Sequence, residues 1–299
     1  MRYENPMIKN QYFGVEVEFF GMTRFEAAQV LSKYFGNPIK HNPTKGYDNR
    51  YVEDAAGRKW YIVSDSSIQP IFGRDHNGPD QCEFVTPKLR YEDMETLQEI
   101  IRKIREAGGK TNPSCGIHVH VDAANHNPQT LKNLIYTMKS KEDVLFRALE
   151  VNPSRVYRWC QKVEDHVFDK VKAAKVLTMD DLKKIWYDGA TWDSERHYSQ
   201  TRYHALNLHN VWFRGTVEFR LFNGTLHAGK IRAYVSLALA LSANAITSKN
   251  VQYKAPDWKR NEQELFDWYL IRIGLVGKEF DNVRKHLRNG LPTANAEVA

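Results

Sequence analysis

The sequence predicts an α+β fold: a curved antiparallel β-sheet with helices packed on one face and a helical insertion near the other. Two observations carry this. Three separated stretches, residues 13–21, 115–122 and 215–224, alternate between apolar and polar side chains over most of their length, the period of a half-buried strand. Between and after them lie segments with the 3.6-residue apolar spacing of helices, and residues 141–190 show that spacing with no strand pattern at all.

The first strand, about 11–20, places Glu16 and Glu18 on one face and Val15, Val17 and Phe19 on the other, and ends at Gly21. Thr23 is a good N-cap for a helix through Phe25, Ala28, Val30, Leu31 and Tyr34, closed by Gly36-Asn37-Pro38. Residues 46–64 read as a hairpin, Tyr47 to Glu53 and Lys59 to Val63 about a turn at 54–57, followed by Asp65-Ser66-Ser67-Ile68. Residues 73–79 read as a loop, and 82–87 as a short strand that Pro87 stops, with Glu83 on one face and Phe84 on the other. A helix over about 91–107 carries an apolar stripe of Leu97, Ile100, Ile101 and Ile104, capped by Gly108-Gly109. The strand at 115–122 puts His118, His120 and Asp122 opposite Ile117, Val119 and Val121.

Pro128 opens a helix to about Ser140, and the 141–190 region is a helical insertion able to cover the polar face of the sheet. Residues 188–202 form a long polar loop, often a functional feature. Residues 203–209 are a strand candidate, and the strand at 215–224 puts Thr216, Glu218 and Arg220 opposite Val217, Phe219 and Leu221. Residues 228–248 are apolar nearly all round and predict a buried helix. Two further helices fall in about 261–289, with a frayed tail at 290–299. The expected organisation is a main domain over 1–250, carrying the helical insertion, and a C-terminal helical extension over 251–299.

Composition is that of an ordinary globular chain, 42% hydrophobic and 26% charged. The excess of 43 basic over 36 acidic residues is spread along the chain, which suits an anionic ligand and argues against a nucleic-acid-binding arm. Cys82, Cys115 and Cys160 lack metal-type spacing and imply a reducing, cytoplasmic setting. No apolar leader precedes the first strand, and 233–246 is too short to span a bilayer, so no membrane association is expected.

The chemistry lies on the polar faces. Glutamate is depleted in strands, and two glutamates at i and i+2 repel unless a cation or base sits between them. Glu16, Glu18, His118, His120, Glu218 and Arg220, with Glu83 and Asp65 as additions, do not suit a structural zinc site. They suit Mg²⁺ or Mn²⁺ shared with a polyphosphate, with an arginine at the transferring phosphoryl group. No phosphate-binding glycine loop is present in the sequence, so a nucleotide would be held by the sheet face.

The ordered set Gly-Val-Glu-Val-Glu, Asp-Ser-Ser-Ile with Glu-Phe-Val-Thr-Pro, Cys-Gly-Ile-His-Val-His-Val-Asp and Val-Glu-Phe-Arg-Leu-Phe-Asn resembles the amidoligases. These are carboxylate–amine ligases of the glutamine synthetase and glutamate–cysteine ligase superfamily, and the resemblance covers about 11–125 and 200–248. It implies a glutamine synthetase-like catalytic fold, ATP with Mg²⁺ or Mn²⁺, and an acyl phosphate that an amine converts to an amide. It further implies that Glu16, Glu18, His118, Glu83 and Glu218 ligate metal, that His120 lies near phosphate and that Arg220 faces the phosphoryl group. Asp65 is carried over as a motif residue without a role. The implied partners are a carboxylate and an amine substrate, as small molecule, peptide or protein side chain, and oligomerisation is left open.

Two rivals remain at this stage. A metal-dependent hydrolase would use the same residues to activate water. A basic nucleic-acid-binding protein would need a concentrated basic patch. His204, His209 and His227 read as ordinary polar or core histidines, Cys115 as a packing residue, the aromatics of 157–203 as cleft-lining or helix-packing, and Arg196 and Arg202 as minor clamp candidates.

Overall fold

Local chemistry explains where the first elements begin and end. Thr23 and Glu26 form a reciprocal capping box, and Gly36, left-handed at φ 70°, donates its N–H back to the Ser32 carbonyl to close the helix. The computed structural model describes residues 3–41, 48–71, 78–174, 177–253 and 262–292. In chain order its elements are β1 (Phe13–Phe19), α1 (Arg24–Phe35), β2 (Lys40–His41), β3 (Arg50–Glu53), β4 (Lys59–Val63), β5 (Cys82–Val85), α2 (Met94–Glu106), β6 (Gly116–Asp122) and α3 (Pro128–Ala148). There follow α4 (Pro153–Arg158), α5 (Asp165–Ala173), α6 (Met179–Trp186), β7 (Leu206–Asn207), α7 (His209–Phe213), β8 (Thr216–Asn223), α8 (Ala228–Thr247), α9 (Glu262–Arg272) and α10 (Asp281–Leu287). The fold is therefore α+β, with eight strands and ten α-helices among the described residues.

The chain divides into two interleaved compact units. One comprises Tyr12–Val119 and Phe222–Val235. Its strands run in the order β2-β3-β4-β5-β1 and then the first half of β6. The pairs β2–β3, β3–β4, β4–β5 and β1–β5 are all antiparallel. Helix α1 packs on β3, β4 and α2. The core joins Val15, Val17 and Phe19 to Leu31, Ile62, Leu97 and Ile101, and Trp60 stacks on Phe84 with ring centroids 6.0 Å apart. Gly224 is forced by space: its N–H bonds to the Cys115 carbonyl at 2.9 Å, and a Cβ there would lie 2.4 Å from that of Cys115.

The other unit comprises Met1–Gln11, His120–Leu221 and Ser236–Ala299. Here β7 pairs antiparallel with β8, setting Asn207 against Glu218 and Leu206 against Phe219. Helix α5 packs on α3 and α6. A polar chain runs from the buried Gln11 through Ser242 to the half-buried His126 and on to Thr130.

Several expectations need correction. The helix opened by Pro128 runs through to Ala148, with Thr137 and Ser140 bonding back to the carbonyls four residues earlier and no glycine or proline to stop it. Only Leu206–Asn207 of the 203–209 stretch is strand, because the Asn207 side chain accepts the His209 N–H at 2.8 Å and turns the chain into α7. The polar loop holds 3-10 turns at Thr191–Glu195 and Gln200–Arg202. The polar faces of β6 and β8 are largely buried, in keeping with the expected covering of that face. Residues 46–47 of the expected hairpin, most of the 73–79 loop and the tail beyond residue 292 lie outside the described residues. Among the described residues, no helix is long and apolar enough to cross a membrane.

Candidate functional site

The antiparallel register of β1 on β5 sets Glu18 directly opposite Glu83, and Glu16 opposite Val85. The register of β4 on β5 sets Val63 opposite Glu83, and Asp65 follows two residues later, its Oδ1 accepting the Ser67 N–H at 2.7 Å. Glu18 is held at one oxygen by the Gly116 N–H at 2.6 Å. The His118 ring lies between the two β1 carboxylates, with Nδ1 3.1 Å from Glu16 and Nε2 3.6 Å from Glu18. Ligand atoms of Glu16, Glu83 and His118 lie within 4.8 Å of one another, as do those of Glu18, Asp65 and Glu83. Both sets are rich in carboxylate oxygen and contain no thiolate. They fit a hard divalent cation, and Glu83 is common to both.

In the other unit, Glu218 is fully buried, and donors reach both of its carboxylate oxygens. Its Oε2 accepts hydrogen bonds from the side-chain amides of Asn207, at 2.6 Å, and Asn210, while Oε1 accepts one from Arg220 Nη1 at 2.6 Å. His120 Nε2 stands 3.8 Å from the same Oε1, and its Nδ1 is 3.1 Å from the Thr216 hydroxyl. Arg220 is fixed from a second side: Nε donates to the Trp159 carbonyl at 3.3 Å, and the guanidinium lies 5.9 Å from the Tyr203 ring centre. Two amide donors on one oxygen and a guanidinium on the other offset the cost of burying this carboxylate, and the pair holds the guanidinium in a single orientation.

The metal-ligand candidates Glu16, Glu18, Glu83 and His118, with Asp65, thus come together in the first unit, and His120, Glu218 and Arg220 in the second. Strand β6 carries both histidines, two residues apart. Asn207, Asn210, Thr216 and Trp159 enter as supporting residues. The sequence signal for the asparagines is Asn-Leu-His-Asn just ahead of the Glu-Phe-Arg strand; for Trp159 there is none.

The remaining candidates take ordinary places. His209 meets the Tyr187 hydroxyl at 2.6 Å, and burial lowers its pKa. His204 packs edge-on against Trp186, and His227 accepts the Lys230 N–H. Cys115 is buried, as are Cys82 and Cys160, and the three form no disulfide. Arg196 sits over the exposed Trp192 ring, and Arg202 lies by Tyr198 and Tyr203.

In the first unit, adjoining strands bring carboxylates and an imidazole within the span of one divalent cation. Residues 9–242 match the family described as "putative amidoligase enzyme", and the chain belongs to that amidoligase family. Membership supports a ligase activity in general terms. The chain is similar to a bifunctional glutathione synthetase from Pasteurella multocida, at 12% identity and a TM-score of 0.41 over 95% of this chain. It spans 47% of that chain. No curated protein matches the sequence.

Proposed function

We propose that the protein is an ATP-dependent carboxylate–amine ligase that forms an amide bond through an acyl phosphate. The observation that carries the reading is the direct opposition of Glu18 and Glu83, with Glu16, Asp65 and His118 ligand atoms beside them. Carboxylates facing each other across a ladder repel, and a cation between them reverses the sign.

In this reading Glu16, Glu18, Glu83 and His118 hold Mg²⁺ or Mn²⁺ in a glutamine synthetase-like sheet. A bound divalent ion supplies charge neutralisation at the nucleotide phosphates. Glu218 contributes through Oε1, since Oε2 already takes both asparagines, and it orients Arg220. Arg220 binds the oxygens of the phosphoryl group in transfer, and His120 lies beside the phosphate.

A substrate carboxylate oxygen attacks the terminal phosphorus of ATP, and the bond to ADP breaks. The amine nitrogen then attacks the acyl carbon, phosphate departs, and the nitrogen loses a proton. The acid and amine are a small molecule, a peptide or a protein side chain. Residues 1–250 form the catalytic domain in this reading, with 251–299 a helical extension.

Thermal unfolding with Mg-ATP, Mg²⁺ alone and ATP alone tests the proposal. Binding to the folded state raises the midpoint by mass action. The expected result is a rise with Mg-ATP larger than with either component, lost in Glu18→Ala and Arg220→Ala. No rise in the wild type, with both variants folded, overturns the ligase. An equal rise with metal alone favours a metal-dependent hydrolase.

A further inference from the structure

Three arginines are buried among the described residues: Arg24, Arg155 and Arg220. Two of them face a carboxylate, Arg24 at 3.9 Å from Asp48 and Arg220 at 2.6 Å from Glu218. Arg155 does not. It lies on α4 in the helical insertion and is 2% exposed. Its Nη2 donates to the Arg220 carbonyl at 3.3 Å, and its Nε has no acceptor. Among the described residues it has no carboxylate partner.

A guanidinium cannot relieve burial by losing its proton, so an unpaired buried arginine is a charge awaiting an anion. The neighbouring Cys160 does not supply one. Burial pushes its thiol up to about 11, despite the opposing pull of Arg155 and Arg220. Glu142, the other buried carboxylate among the described residues of this unit, is turned to the Val163 N–H with both oxygens.

The segment that carries Arg155 also grips Arg220. Arg155 bonds the Arg220 carbonyl, and the Trp159 carbonyl accepts from the Arg220 side chain. With Glu218 already matched to Arg220, Arg155 leaves one positive charge over beside that strand.

We propose that Arg155 is an anion-binding residue, the second guanidinium of a site whose ligand is an oxyanion of the substrate, a phosphoryl or a carboxylate group. The helical insertion thereby takes part in choosing the substrate. The inference rests on the ligase reading only for the identity of the ligand.

A purely structural Arg155, bracing β8 through its bond to the Arg220 carbonyl, makes opposite predictions. The test uses the full chain without metal or nucleotide, so its outcome is separate from that of the Mg-ATP experiment. Thermal midpoints and binding isotherms are measured with inorganic phosphate and with glutamate at constant ionic strength. The proteins are wild type, Arg155→Met, Arg155→Lys and, as a control for charge alone, the exposed neighbour Arg158→Met.

Arg155→Met is expected to unfold at or above the wild-type midpoint without ligand, since it removes an unpaired buried charge. It is expected to bind the anion about tenfold or more weakly, while Arg158→Met binds as wild type. A response to phosphate assigns a phosphoryl group, and one to glutamate a carboxylate. A lower ligand-free midpoint in Arg155→Met with wild-type anion affinity overturns the proposal, as does a wild type that responds to neither anion. Should Arg155→Met not fold, Arg155→Lys decides: it keeps the charge and loses the fork. Its anion affinity falls about threefold or more if Arg155 binds the anion, and stays at the wild-type value if the role is structural.

Discussion

Glu83 stands directly across the β1–β5 ladder from Glu18. Like charges at directly opposed positions destabilise a sheet by a few tenths to about 1 kcal/mol. Glu83→Gln should therefore raise the metal-free midpoint by about 1–2 °C in a chain of this size. The rise that Mn²⁺ produces in the wild type should shrink by at least half in the variant. Circular dichroism melts with chelator and with Mn²⁺ give both numbers. A destabilised variant that keeps the full Mn²⁺ response would refute a metal role for this pair.

The Glu218 carboxylate receives the amides of Asn207 and Asn210 on one oxygen, in a fully buried setting. Hydrogen bonds to a charged group contribute about 1.5–3 kcal/mol, against about 1 kcal/mol for a neutral acceptor. Asn207→Ala is expected to cost about 2 kcal/mol by urea unfolding in the wild-type background. In Glu218→Gln, where the acceptor is neutral, the same substitution should cost about half as much. Equal costs in the two backgrounds would mean that the asparagine packs without stabilising the charge.

His126 is half-buried between the Thr130 and Ser242 hydroxyls. Burial lowers its pKa from 6.5 to about 4. The sign follows from linkage. A depressed folded-state value means the unfolded chain binds the proton first, so the contribution is present above pH 6.5 and is lost as the pH falls towards 4. Between pH 7 and pH 5 the wild type should lose about 2 kcal/mol through this residue, at about 1.4 kcal/mol per unit below 6.5. His126→Gln should start less stable at pH 7 and show a flatter profile over that window. An unchanged slope in the variant would assign the pH dependence to other groups.

The sequence by itself determined the alternating strands, their apolar faces and the helices between them, because period and capping are properties of neighbouring residues. Thr23 with Glu26, the Leu97–Ile104 stripe and the all-apolar 228–248 run were all legible in this way. The same alternation put Glu16 beside Glu18, His118 beside His120 and Glu218 beside Arg220, since side chains two apart on a strand share a face.

Only tertiary structure decided which residues from distant segments meet. Register, not composition, set Glu83 against Glu18 and Asn207 against Glu218. The turn at Asn207 that ends β7 depends on a side-chain bond that competes with the strand pattern. Arg155 gave no signal at all, because a lone arginine in a basic helical segment reads as solvent-facing until packing shows it buried against the strand of Arg220. Local sequence records the period of an element; burial and pairing depend on the chain's return from far away, and that is where the chemistry of this site is assembled.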